Sequence, residues 1–209
     1  MINILLIVFT MSLLFFAIGN RLMTYVKILA LQGVLLFGIA FYGLIESDLL
    51  TLIIILLETV IVKAIAIPLF LRYVIIKNNI TREAEPYLPN FVSLIIVTLI
   101  IAATFMVSNV IDDIHQHKIY FVVALSALFS GLYFISTRKK IITHVICYVL
   151  IENGVFILSL AVGKEMPMLV NLGVLFDVFV SVFLLGIFIN KVGDVLQDTD
   201  VSQLSNLKD

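Results

Sequence analysis

Three acids lie inside long apolar runs of this sequence: Glu58 in 49–71, Glu152 in 141–162 and Asp177 in 169–190. They are the tenth, twelfth and ninth residues of those runs, which places all three near mid-span, and Lys63 follows Glu58 by five residues. An acid at the centre of a lone apolar helix costs roughly 2.5–3.5 kcal/mol on insertion scales, so such side chains face a bundle interior or a hydrated cavity and pair with a cation. Removal from water penalises the ionised form of a carboxyl, which suits it to take up and release a proton. The chemistry expected of Glu58, Lys63, Glu152 and Asp177 is a proton relay. The plainer alternative is interhelical glue, in which a protonated acid only hydrogen-bonds a neighbour.

In an α-helix the five-residue step turns Lys63 about 140° away from Glu58, so Lys63 is expected to pair across helices. Pro68 removes a backbone donor five residues further on and is expected to kink that helix near Lys63. His144, Tyr148 and Glu152 recur every four residues and share one helix face, a candidate entry path from the helix end to the buried acid. The alternative is that polar residues gather on a packing face. Lys27, in the first turn of its run, can snorkel to the surface and is, with Gln32, an accessory candidate. His115 and His117 have too few fixed ligands around them for a metal site, and no metal is expected.

The elements that hold these residues follow from composition. Of 209 residues, 62% are hydrophobic and 13% charged, and the mean hydropathy is +1.21, too few charges to cover a soluble domain. Lipid must be the main solvent. A net charge of −1 excludes an electrostatic nucleic-acid binder. The single cysteine, Cys147, can build neither an internal disulfide nor a cysteine-ligated cluster, so no cofactor is expected on this chain. Phosphate-binding glycine loops and nucleophile motifs are missing, so no catalytic site is expected either.

At about 20 residues per crossing, seven spans qualify: 2–19, 24–43, 49–71, 91–110, 119–136, 141–162 and 169–190. The first lacks a basic leader and a cleavage site, and reads as a retained span. The connection 72–90, with Lys77, Arg82, Glu83, Glu85, Pro86 and Pro89, reads as the longest loop. Arg21, Arg72, Lys77, Arg82, Arg138, Lys139, Lys140, Lys191 and Lys208 fall on one side and Lys118 and Lys164 on the other. That bias places the N-terminus outside and the C-terminus in the cytoplasm.

The first three spans resemble the last three. A basic turn, Asn20-Arg21 or Arg138-Lys139-Lys140, precedes a helix with a central glycine, Leu31-Gln32-Gly33 or Glu152-Asn153-Gly154. Next comes a helix with one central acid and a base fourteen residues later, Glu58 with Arg72 and Asp177 with Lys191. Three crossings invert a chain, so the fourth span is needed to make the two units parallel. Ser93, Thr98, Thr104 and Ser108 in that linking helix can bond back to its own carbonyls. The expected fold class is all-α integral membrane, with seven transmembrane helices in two parallel three-helix repeats. The divisions are 1–73, the linking region 74–118, the second repeat 119–191, and a polar tail 192–209.

The run Arg138 to Lys140, Glu152-Asn153-Gly154 and Asp177 resembles the K subunit of respiratory complex I and the C subunit of multisubunit cation/proton antiporters. With its degenerate first copy, and with Glu58, Lys63 and Ile67-Pro68, the whole chain resembles membrane component E of hydrogenase-4 and formate-hydrogenlyase complexes. The resemblance implies that Glu152 and Asp177 are the helix-two and helix-three acids. It implies a non-catalytic subunit of a prokaryotic plasma membrane, on a proton or sodium path coupled to electron transfer. The implied partners are antiporter-like membrane subunits and a membrane subunit linking to a hydrophilic hydrogenase arm, which would hold nickel–iron and iron–sulfur centres. Two departures stand out: Leu31 or Gln32 replaces the helix-two acid of the first repeat, and Asp177 stands where relatives commonly carry Glu. Two other readings are a subunit of an antiporter without a redox arm, and a structural anchor.

Overall fold

Helices α1 (Ile2–Ile18) and α2 (Leu22–Gly43) open the chain, and apolar residues predominate on all of their faces because lipid or protein covers each one. A computed structural model describes residues 1–43, 49–77, 87–110 and 118–162, and all regular elements among them are helical. After α2 the chain forms α3 (Leu49–Glu58), a π-helix π1 (Thr59–Ala66) and α4 (Ile67–Lys77), which continue one another. Then follow α5 (Asn90–Val110), α6 (Lys118–Thr137) and α7 (Ile141–Val162). Among the described residues five stretches are long and apolar enough to cross a membrane, Ile55–Lys77 being one of them, and α1 is a shorter apolar helix. The chain is a multi-pass membrane protein. The expected span 169–190, with Asp177, lies outside the described residues.

The expected loop from residue 72 is corrected, because α4 runs on to Lys77. Val74 and Ile75 are buried, so packing carries the helix past Arg72 into residues whose charge marked them as a connection.

The ends of the helices register with one another. Asn90, the first residue of α5, donates to the Ile18 carbonyl at 3.0 Å and to Asn20 Oδ1 at 2.8 Å. The Tyr87 amide donates to the Thr137 carbonyl at 3.1 Å. The ends of α1 and α6 and the start of α5 therefore meet, so α5 runs against both. α1 packs on α2, α5 and α6, while α2 packs on π1, α4 and α7. The core lies between α1, α2, α6 and α7, with Leu6, Phe9, Leu36, Ile146 and Leu150 fully or almost fully enclosed.

Three of the four hydroxyls of α5 bond back to their own helix as expected, and Ser93 does not. Thr98, Thr104 and Ser108 donate to the carbonyls of Leu94, Ile101 and Phe105, each at 2.8 Å. Thr104 also meets Ser126 of α6 at 2.7 Å, and Ser93 accepts from Tyr133 at 3.0 Å, so the hydroxyls also tie α5 to α6.

Candidate functional site

Helix α2 carries no side chain at Gly33, and this brings it against the backbone of π1. A Cβ at Gly33 would lie 2.6 Å from both the Cα and the N of Ala64 and 2.7 Å from the carbonyl carbon of Lys63, closer than any real side chain could sit. Gly154 of α7 lets a second close approach form, since its Cβ would meet Ala127 Cβ at 2.9 Å and Leu128 N at 3.1 Å. The two central glycines of the sequence thus fix how deeply the π-helix and α6 nest against α2 and α7.

Lys63 and Glu152 form a buried ion pair at the place where π1 and α7 face each other, with 2% and 5% of their surfaces exposed. The Lys63 ammonium also stands 4.5 Å from the centre of the Phe156 ring, one turn beyond Glu152. The second Glu152 oxygen, Oε2, has no hydrogen-bond partner among the described residues. The cross-helix partner expected for Lys63 is therefore Glu152.

Glu58 caps π1 and is also buried, at 7%, with its Oε2 unpartnered among the described residues. It lies in the electrostatic field of both Lys63 and Glu152. The expectation that Lys63 turns about 140° from Glu58 is corrected by the π-helix. Its hydrogen bonds close over five residues, as the Ile67 amide does to the Val62 carbonyl, so residues five apart stack as residues four apart do in an α-helix. A local stretch of π-helix thus keeps Glu58 and Lys63 on related faces and ends just before Pro68, whose missing amide would otherwise interrupt the ladder.

A second polar chain crosses the core beside the ion pair. Asn153 donates to Gln32 Oε1 at 3.1 Å, and Gln32 donates to the Ser12 hydroxyl at 2.8 Å. Ser12 in turn donates to the Phe9 carbonyl. All three side chains are buried. Gln32 and Asn153 are the residues that fall in register in the two similar segments, and they meet face to face between α2 and α7.

His144, Tyr148 and Lys27 make no hydrogen bond or ion pair to this cluster among the described residues. His144 is half-buried, and its Nδ1 lies 2.8 Å from the Lys140 carbonyl. Tyr148 is half-buried on the same face, and among the described residues no hydrogen bond joins His144, Tyr148 and Glu152. Lys27 is exposed on α2 and lines a groove shared with Arg72. Asp177 lies outside the described residues.

One buried cation was not legible as such. Arg138 belongs to the basic turn Arg138-Lys139-Lys140, yet it is 2% exposed, and its three guanidinium nitrogens have no hydrogen-bond partner among the described residues. Its guanidinium carbon lies 5.5 Å from the Tyr25 ring centre and 5.9 Å from that of Phe134. Phe16 stacks on Tyr25 at 4.4 Å and meets Phe134 at 4.7 Å, closing an aromatic cluster beneath the cation. The signal in the sequence was Phe134 four residues before Arg138, a spacing that stacks side chains on one helix face.

Residues 119–209 match the family of NADH-ubiquinone/plastoquinone oxidoreductase chain 4L. That segment takes in α6 from its second residue and all of α7, with Arg138, Glu152 and Asn153. The chain is also similar to the uncharacterized protein Rv0085 of Mycobacterium tuberculosis, at 23% identity over 187 residues, covering 88% of this chain and 85% of the relative. No solved structure matches the chain.

Proposed function

We propose that this chain is a non-catalytic membrane subunit of a respiratory-type, ion-translocating assembly, and that Glu58, Lys63, Glu152 and Asp177 lie on its proton path. The single observation that carries the reading is the buried ion pair between Lys63 and Glu152, with Glu58 in the field of both. The match of residues 119–209 to the chain 4L family supports a place among the membrane subunits of such an assembly.

The chemistry follows from one ammonium that is paired with the Glu152 carboxyl and lies within the electrostatic reach of a second, Glu58. A proton arriving on Glu152 cancels its attraction for Lys63, and Glu58 is then the remaining anion near the same cation. Lys63 swings in favour of whichever acid is ionised, so proton uptake at one carboxyl is tied to proton release at the other. Truncating one partner of a buried pair leaves an uncompensated charge, at a cost of about 3–5 kcal/mol, which makes the pair responsive to any partner that shifts the balance.

The finer assignment is to a hydrogenase-4-like complex of a prokaryotic plasma membrane, moving protons or sodium ions. In it the duplicated units 1–73 and 119–191 lie parallel, and the basic ends face the cytoplasm. The contact between Gln32 and Asn153, residues in matching register, supports the duplication. Antiporter-like subunits and a linking membrane subunit would flank the chain, and nickel–iron and iron–sulfur centres would sit in a separate hydrophilic arm.

The test is to purify the intact assembly, identify its other chains, and measure ion movement and electron transfer with Glu58→Gln and Asp177→Asn in place. Co-purifying hydrogenase chains and lost coupling in the variants are expected. Antiporter-like chains recovered without a redox arm would place the subunit in an antiporter, and unchanged coupling would remove the relay.

A further inference from the structure

Below the contact of Gly33 with Ala64, towards the basic end of the bundle, α2 and the π1–α4 segment leave a groove of about 550 Å³. Its walls are Met23, Val26 and Ala30 on one side and Ala64, Ile65, Pro68 and Leu69 on the other, and two cations, Lys27 and Arg72, complete it. The volume is in the range of sites that enclose a small organic ligand. Neither Lys27 nor Arg72 has an ion-pair partner among the described residues, and both side chains are exposed.

We propose that this groove binds one anionic glycerophospholipid, with its phosphate between Lys27 and Arg72 and an acyl chain along the apolar walls. The placement of charge selects this occupant. Lys27 lies five residues inside the start of α2, about 7–8 Å of helix rise, and Arg72 lies five residues from the end of α4, so both cations stand near one end of the bundle and the apolar walls run inwards from them. That gradient matches a lipid with its headgroup at the interface and its chain in the hydrocarbon, and basic pockets between membrane helices are suited to anionic headgroups. A purely apolar partner helix would leave both cations against hydrocarbon. The concavity has its own cause: the small side chains of Ala30 and Ala64 leave room beside the close Gly33 contact, and the ring of Pro68 forms part of one wall.

The lipid would hold the π1–α4 segment against α2 within two turns of Lys63, without any group of the ion pair taking part in its binding. The inference stands whether or not the chain carries protons.

The experiment is native mass spectrometry of the purified full chain in a neutral detergent, titrated separately with phosphatidylglycerol, phosphatidylcholine and inorganic phosphate. One retained phosphatidylglycerol is expected. Loss of two interfacial cations in Lys27→Gln/Arg72→Gln corresponds to a weakening of roughly 30-fold. The conservative pair Lys27→Arg/Arg72→Lys is expected to retain the lipid, and Ala30→Phe, which fills the groove but keeps both charges, to weaken it. Equal binding of phosphatidylcholine, or phosphatidylglycerol binding unaffected by the glutamine pair, would overturn the proposal. So would inorganic phosphate binding as tightly as the lipid and ignoring Ala30→Phe, which marks a free-anion site. Failure of the wild-type chain to retain any phosphatidylglycerol would also overturn it and point to a protein occupant.

Discussion

Asn153 of α7 donates a 3.1 Å hydrogen bond to Gln32 of α2, and the two residues occupy the same register in the two similar segments of the chain. The bond joins the middle of α2 to the middle of α7, with Ser12 extending it to α1 on one side. Lys63 and Glu152 lie immediately beside it. The amide pair is neutral and the pair beside it is charged.

The neutral chain gives the first prediction. Gln32→Leu leaves the Asn153 amide without its acceptor inside the core, a cost of about 1–3 kcal/mol. The double variant Gln32→Leu/Asn153→Leu removes both polar ends and is expected to recover part of that loss. Thermal unfolding of the four proteins in detergent gives the cycle, and additive losses would show that the bond does not couple the two helices.

Gly33 and Gly38 separate close backbone contact from ordinary packing on the same helix. A Cβ at Gly33 meets the backbone of Ala64 at 2.6 Å, which cannot move aside, whereas at Gly38 the nearest atom is the Leu5 side chain at 3.0 Å. Gly33→Ala is expected to cost about 1–3 kcal/mol through overpacking. Gly38→Ala is expected to be close to neutral, because removing glycine from a helix interior offsets the small shift of Leu5. Equal melting temperatures for the two variants would contradict the contact.

Arg138 gives a prediction about side-chain shape. A planar guanidinium can lie over Tyr25 and Phe134 where a compact, strongly hydrated ammonium cannot, so Arg138→Lys is expected to lose about 1 kcal/mol despite keeping its charge. The comparison with Arg138→Met isolates the charge itself, and a smaller loss for methionine than for lysine is the expected order in thermal unfolding. Wild-type stability for the lysine variant would remove the aromatic cluster as the feature holding this side chain.

Much of this arrangement was legible in the residues, and the parts that were not have physical reasons. Hydropathy found the described helices to within a few residues because lipid imposes apolar runs of fixed length. Glu58, Lys63 and Glu152 stood out because charge inside such a run is costly, and the structure brings these three together. The π-helix was invisible: residues 59–66 have no composition that separates a five-residue hydrogen-bond ladder from a four-residue one, so the angle between Glu58 and Lys63 came out wrong. The end of the third span was misplaced at Arg72, because charge marked a boundary that buried Val74 and Ile75 override. The burial of Arg138 was not legible because a basic turn ordinarily meets water, and only tertiary packing could place Tyr25 and Phe134 around it.

The ion pair sets a prediction for stability. Lys63→Met strands Glu152 in the core and is expected to destabilise the chain by about 3–5 kcal/mol. Lys63→Met/Glu152→Gln removes both charges and is expected to recover most of that loss, since well-packed neutral replacements of a buried pair are often tolerated. Unfolding in detergent measures both, and a double variant no more stable than the single one would show that the charges do not act as a pair.

Proton uptake by inverted membrane vesicles carrying the assembled complex, followed during electron transfer with wild-type chain and with Glu152→Gln, tests the relay most directly. The expected result is electron transfer that continues while proton uptake falls on the order of 100-fold. Full proton uptake in the Glu152→Gln complex, at an unchanged ratio to electrons transferred, would contradict a proton path through the Lys63–Glu152 pair.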